Sequence, residues 1–137
     1  IYHVDKYEKL LNMLMDFNDN IRYAAVADSD GQILWNSQRT GLKNIVPVEE
    51  TKQTIRRALQ GWKENTTVKN YLGSGLYSIS SYEKIKRISV PLDDGKILFC
   101  TISNEPLVKS SDSKKVYGRI AEMGKILSIV DFIKSQK

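Results

Sequence analysis

The sequence predicts a single α/β domain, an antiparallel sheet with helices on both faces, and three observations point to it. Residues 21–36 hold two runs of strand-forming residues around an Asp-Gly turn, the signature of a β-hairpin. Ile97-Leu98-Phe99-Cys100-Thr101-Ile102 is apolar at both parities, as a central strand covered on both faces must be. Helical spacing of apolar residues brackets these strands at both ends of the chain. At 137 residues the chain fits one domain, 1–137, with enough surface to bury a core without disulfide staples.

The first element is a helix over Val4–Phe17, where Val4, Tyr7, Leu10, Leu11, Leu14 and Phe17 fall on one face. Asn18-Asp19-Asn20 breaks it. The hairpin follows, Ile21–Asp28 and Gln32–Asn36, turning at Ser29-Asp30-Gly31. Gln38–Val46 reads as a polar connection, and Pro47 suits the first turn of a second helix because its missing N–H would have no partner there. In that helix Glu49 and Glu50 favour the positive N-terminus and Arg56 and Arg57 the other end, with Val48, Ile55, Ala58, Leu59 and Trp62 on the apolar side. Gly61 is the expected stop.

Asn65–Ser74 is polar and runs into Gly73-Ser74-Gly75, so any strand there is short or at an edge. Three strands are then expected at Leu76–Ser81, Ile85–Leu92 and Lys96–Ser103, joined by turns at 81–84 and 93–95. Glu105–Ser113 has linker composition. From Val116 a long C-terminal helix presents Ile120, Met123, Leu127 and Val130, widened by Ile126 and Ile133. Gly118 and Gly124 interrupt it and suggest close approach to a neighbouring element. The predicted order is α-β-β-α-β-β-β-α.

Charge and chemistry narrow the function by what they lack. The net charge of +5 is a solubility feature that falls short of a dedicated nucleic-acid binder. Lys84, Lys86, Arg87, Arg56, Arg57, Lys63 and Lys69, with Tyr71, Tyr77 and Tyr82 among them, would serve nucleic acid only if they gathered on one face. The expectation is a solvated face with half-buried strand tyrosines. The one His, His3, stands at the start of the chain and cannot anchor a triad, so the sequence argues against an enzyme.

Asp28, Asp30, Asp93 and Asp94 lack the spacing of a calcium loop and fit turn chemistry, and Gly73-Ser74-Gly75 lacks the Gly-Lys-Ser/Thr of a phosphate cradle. No metal and no cofactor is expected. Cys100 lies in an apolar run and reads as a small buried hydrophobe, which suits a reducing, cytoplasmic setting. The apolar runs are too short to span a bilayer, no leader pattern opens the chain, and Asn65-Thr66-Thr67 matters as a glycosylation acceptor only in a secreted protein.

Ile21-Arg22-Tyr23-Ala24-Ala25-Val26-Ala27-Asp28-Ser29-Asp30-Gly31, Arg39-Thr40-Gly41-Leu42 and Tyr82-Glu83-Lys84-Ile85-Lys86-Arg87-Ile88-Ser89-Val90-Pro91-Leu92-Asp93-Asp94 together resemble the roadblock/light-chain-7 domain of the profilin-like group. The chain is more closely similar to an uncharacterised archaeal family of small roadblock-like proteins; Trp35-Asn36-Ser37 stands where that family often has small residues. The resemblance implies a five-stranded antiparallel sheet with the second helix on one face and the terminal helices on the other. It also implies a non-catalytic interaction or regulatory scaffold in signalling, with a protein partner of the small-nucleotidase class.

Roadblock domains commonly form homodimers through the second helix and the following edge strand. Carried onto this chain, that interface is Thr51, Ile55, Ala58, Leu59 and Trp62 with Val68 and Tyr71. An unpaired sheet edge beside apolar residues is a separate physical reason to expect pairing there. The competing expectation is a PAS- or Cache-like small-molecule sensor, because an Asp-x-Asp-Gly hairpin before an apolar strand recurs in those folds. Its pocket would be lined by Trp35, Tyr77, Arg87 and Phe99.

Overall fold

The computed structural model describes residues 5–42, 45–65, 67–104 and 120–136. Helix α1 (Lys6–Phe17) starts two residues later than expected, because Asp5 caps it: its side chain accepts a 2.9 Å hydrogen bond from the Tyr7 N–H. Tyr7, Leu10, Leu11 and Leu14 form its buried stripe. The stop works as Asn chemistry dictates, with the Asn18 carboxamide accepting from the Asn20 N–H at 2.8 Å.

Strands β1 (Ile21–Ala27) and β2 (Ile33–Gln38) form the predicted hairpin. Asp28 Oδ1 accepts from the N–H groups of both Asp30 and Gln32 at 3.0 Å, and Gly31 supplies a φ of 86°. The turn aspartate is thus occupied by backbone.

Helix α2 (Val48–Glu64) follows Pro47, and the short helix α3 (Lys69–Leu72) comes after it. Strands β3 (Ser78–Ser81), β4 (Ile85–Pro91) and β5 (Ile97–Ser103) complete a sheet ordered β2-β1-β5-β4-β3. All its neighbours pair antiparallel. Helix α4 (Ile120–Lys134) closes the chain. The expected linker at 105–113, the helix start at Val116, and Gly118 lie outside the described residues.

Strand β5 is central, and its side chains are used on both faces, as the double-parity run requires. Leu98, Cys100 and Ile102 join Ala24, Val26, Ile88 and Val90 under α1 and α4, where Met123, Ile126, Ile129, Val130 and Ile133 pack. Ile97 and Phe99 point to the other face and meet Ile55 and Leu59 of α2. One face therefore carries two helices and the larger core; the other carries one helix and stays partly open.

Four local expectations are corrected. Helix α2 runs through Gly61 to Glu64, since an isolated glycine costs only about 1 kcal/mol against Ala and the Ile55/Leu59 contacts outweigh it. Val48 is exposed rather than packed, because the first turn of α2 stands over an open hollow above Tyr23 and Phe99 instead of against the sheet. The segment after α2 holds a one-turn helix, α3, and no strand. Gly124 is exposed, with no heavy atom within 4 Å of where a Cβ would stand, so it marks no close approach.

Candidate functional site

Strand β3 is a sheet edge: β4 pairs with one side and no described strand with the other. All four of its residues are exposed. A row of backbone N–H and C=O groups with small serine side chains is open to another strand here. The chain around this edge is unusually apolar for a surface. Tyr71 and Leu72 are 87% and 82% exposed, and Val68, Leu76, Tyr77, Ile79 and Tyr82 are exposed as well.

Helix α2 flanks the same edge. Its inward residues Ile55 and Leu59 are buried against its own sheet, so of the expected interface residues these two are committed to the core. Thr51, Ala58 and Trp62 are half-buried on the helix flanks, and Val68 and Tyr71 lie exposed at and just before α3. Thr54, Ala58 and Gly61 line the side of α2 that faces β4 and β3. Small residues at this spacing let a second backbone come close.

Trp62 organises the junction. Its indole N–H donates to Ser89 Oγ on β4 at 3.3 Å. Its ring lies so near Gly75 that a Cβ there would stand 2.2 Å from ring carbon Cζ3. The loop leading into β3 is thereby pinned to α2, and only glycine fits at the contact. The other end of β3 is fixed by buried Asn104, whose Nδ2 donates to the carbonyls of Tyr82 at 2.6 Å and Glu83 at 3.2 Å. An otherwise thin edge strand is held at both ends.

Among the described residues, two hollows open on the α2 face. One, of about 90 Å³, lies by the first turns of α2 between Tyr23, Thr51, Arg87 and Phe99. It has space for roughly three waters at about 30 Å³ each. Burial raises the Tyr23 pKa above its ordinary value, so the phenol stays protonated well into the alkaline range. The second, a groove of about 350 Å³, runs between the later turns of α2 and strands β4 and β3.

The four residues expected to line a sensor pocket do not share one. Arg87 and Phe99 border both hollows, but Trp35 is on the opposite face of the sheet, its ring tilted against Tyr7 of α1 at 5.5 Å between centroids, and Tyr77 borders neither. Strand parity explains it: Trp35 pairs with Val26, whose side chain belongs to the α1/α4 core, while Phe99 faces α2. Sequence order alone does not say which face a strand residue takes until register is fixed.

The basic residues do not gather on one face, although Arg57 and Arg87 share the larger groove. Lys86 is buried on the α1/α4 side and Arg87 faces α2; Arg56 packs over the Gly31 turn and Lys63 donates to the Ser29 carbonyl at 3.2 Å. Tyr71, Tyr77 and Tyr82 are exposed rather than half-buried, because they belong to α3 and to the ends of a thin edge strand. The spacing that could have flagged them was obscured by the run of Gly and Ser before β3. Among the described residues no group of three His, Cys, Asp or Glu stands ready to hold a metal, and no helix is long and apolar enough to cross a membrane.

No family model matches the sequence, and no curated protein matches it either. Solved structures do. The gliding protein MglB of Thermus thermophilus superposes with a TM-score of 0.63 at 12% identity, over 100% of this chain and 96% of that one. A roadblock/LC7 domain of Streptomyces avermitilis gives 0.62 at 9% identity, covering 97% and 96%. LokiProfilin2, solved in complex with rabbit actin, gives 0.52 at 16% identity, covering 98% and 100%. The chain has the roadblock/LC7 fold, within the wider profilin-like architecture.

Proposed function

We propose that this domain is a non-catalytic interaction module that pairs with a second copy of itself through the β3 edge and the adjoining flank of α2. The observation that carries this is the coincidence of an open sheet edge, held rigid at both ends, with a fringe of exposed Tyr71, Leu72 and Leu76 beside it. Two β3 strands related by a two-fold axis would satisfy each other's backbone groups and join two sheets into one. The small residues of α2 would let the two helices close over that seam.

Fold-mates support work by contact: one MglB is described in a tetrameric arrangement, and LokiProfilin2 in complex with actin. In that setting the dimer would act as a regulatory platform in signalling, presented to a protein partner of the small-nucleotidase class. Buried Cys100 fits a reducing compartment, the cytoplasm. Sedimentation equilibrium across a concentration series tests the pairing. A species of twice the chain mass is expected at micromolar protein, and a monomer at every concentration would overturn it.

A further inference from the structure

The groove between α2 and the β4/β3 edge has a one-sided chemistry. Arg57 of α2 and Arg87 of β4 both line it, and no Asp or Glu among the described residues does. Neither guanidinium meets a carboxylate among the described residues. Arg87 is half-buried, and its guanidinium lies over the Tyr82 ring, 5.3 Å from Cζ to the centroid. Register puts Ser80 opposite Arg87 and Ser78 opposite Ser89, so the Ser78 and Ser80 hydroxyls border the same groove.

A half-buried guanidinium with no counter-charge keeps a fork of donors aimed at whatever enters. With the exposed Arg57 fork at the rim and two hydroxyls, it makes a donor-rich cradle for an acceptor-only group, and a phosphoryl dianion presents three acceptor oxygens where a carboxylate presents two. The groove's volume lies at the lower end of the range for small-molecule sites, and the Trp62 ring gives it one apolar wall.

We infer that this groove binds a phosphoryl group, held by Arg57 and Arg87 with the Ser78 and Ser80 hydroxyls. The groove is complete within one chain, so the inference goes beyond the pairing proposed above and does not rest on it.

Fluorescence titration tests it on a Trp35→Phe background, where Trp62 in the groove is the single tryptophan. Inorganic phosphate and adenosine monophosphate are the two probes, with potassium chloride at matched ionic strength as the blank. A saturable change with phosphate is expected, weakened roughly tenfold by either Arg57→Gln or Arg87→Gln, the loss of one charge-assisted contact. Lys125→Gln, which removes an equal charge from the exposed face of α4, leaves it unchanged. Equal affinity for the two probes identifies free phosphate as the ligand; tighter adenosine monophosphate identifies a phosphorylated small molecule.

No saturation by about 10 mM of either probe overturns the site, as does an equal loss in Lys125→Gln or an equal response to chloride. Arg57 is exposed, so Arg57→Gln carries the test if Arg87→Gln does not fold. The groove shares Thr54, Ala58 and Gly61 with the proposed pairing flank, so sedimentation of the same samples separates the two proposals on the monomer: a chain that stays monomeric at every concentration yet binds refutes pairing alone, and a chain that dimerises but whose dilute monomer binds neither probe refutes the groove alone.

Discussion

Arg39 shows how much one side chain can hold. Its Nε donates to the Ile21 carbonyl at 2.8 Å, and its Nη2 donates to the carbonyls of Met15 at 3.0 Å and Asn18 at 2.9 Å. The end of α1 and the start of β1 are stapled together through their backbone carbonyls. Arg39→Ala should cost about 2–3 kcal/mol in urea denaturation, and Arg39→Lys should recover only part of it, because an ammonium lacks the planar fork. Equal stability of Arg39→Ala and the parent chain would contradict this.

Gly75 is constrained by closeness rather than by φ. Gly75→Ala should loosen the loop into β3 and weaken pairing while leaving the α1/α4 core intact, read by amide exchange of β3 against β5. Tyr23 gives a pH signature. Burial raises its folded pKa above 10.0, so at pH values past 10 the unfolded chain loses its proton first. Stability is full below that and falls as pH rises through the folded value. Tyr23→Phe should flatten the decline seen in denaturation midpoints between pH 9 and 11, and Tyr7, raised chiefly by burial as well, accounts for a share of what remains.

The roles of Arg39 and Gly75 were invisible in the sequence, because each depends on where a distant backbone arrives. The turn role of Asp28 was legible, because its hydrogen bonds are to its own next few residues.

Elements were legible in proportion to how strongly one period dominates them. The run ending at Ile102 declares a strand covered on both sides, and the structure places it at the centre of the sheet. Helix α1 carries a clean 3.6-residue stripe, and α4, apolar more nearly all round, still buries Met123, Ile126, Ile129, Val130 and Ile133 at helical spacing. Helix α3 spans four residues, too few for a stripe, and Gly73 closes it, so composition reads only as a polar connection. The end of α2 was misplaced because Gly61 looks like a stop when the tertiary contacts that carry the helix past it are not in view.

That same Gly61 yields a prediction with two signs. No heavy atom stands within 4 Å of its would-be Cβ, so Gly61→Ala should stabilise the monomer by about 0.5–1 kcal/mol in thermal or urea denaturation. Gly61→Arg should retain most of that gain yet weaken self-association at least tenfold, since a long charged side chain would stand where the second helix approaches. Gly124→Ala on exposed α4 should give the stabilisation alone. A Gly61→Arg chain that pairs as tightly as the parent would move the interface off this flank of α2.

At the scale of the whole molecule, the asymmetry of the two sheet faces organises function. Helices α1 and α4 seal one side with a continuous core, whereas α2 alone covers the other and leaves both hollows and the β3 edge open. The layer order and the five strands follow from patterning that structures at 9–16% identity share. Surface chemistry does not follow from it, because exposed residues are free of the packing that fixes a core. Helix α2 of the expected interface lies beside the β3 edge, and two of the residues expected there, Ile55 and Leu59, are buried against the chain's own sheet.

Cysteine cross-linking across the edge tests the pairing most directly. Cys100 is buried, so a Ser80→Cys chain carries one accessible thiol among the described residues, on β3, and Lys125→Cys carries one on the far helix. Under mild oxidation, the β3 variant is predicted to form a disulfide-linked dimer rapidly, with yield set by the pre-existing pair, and the α4 variant to remain a single chain. Slow cross-linking at both positions, or faster cross-linking through α4, would contradict the account.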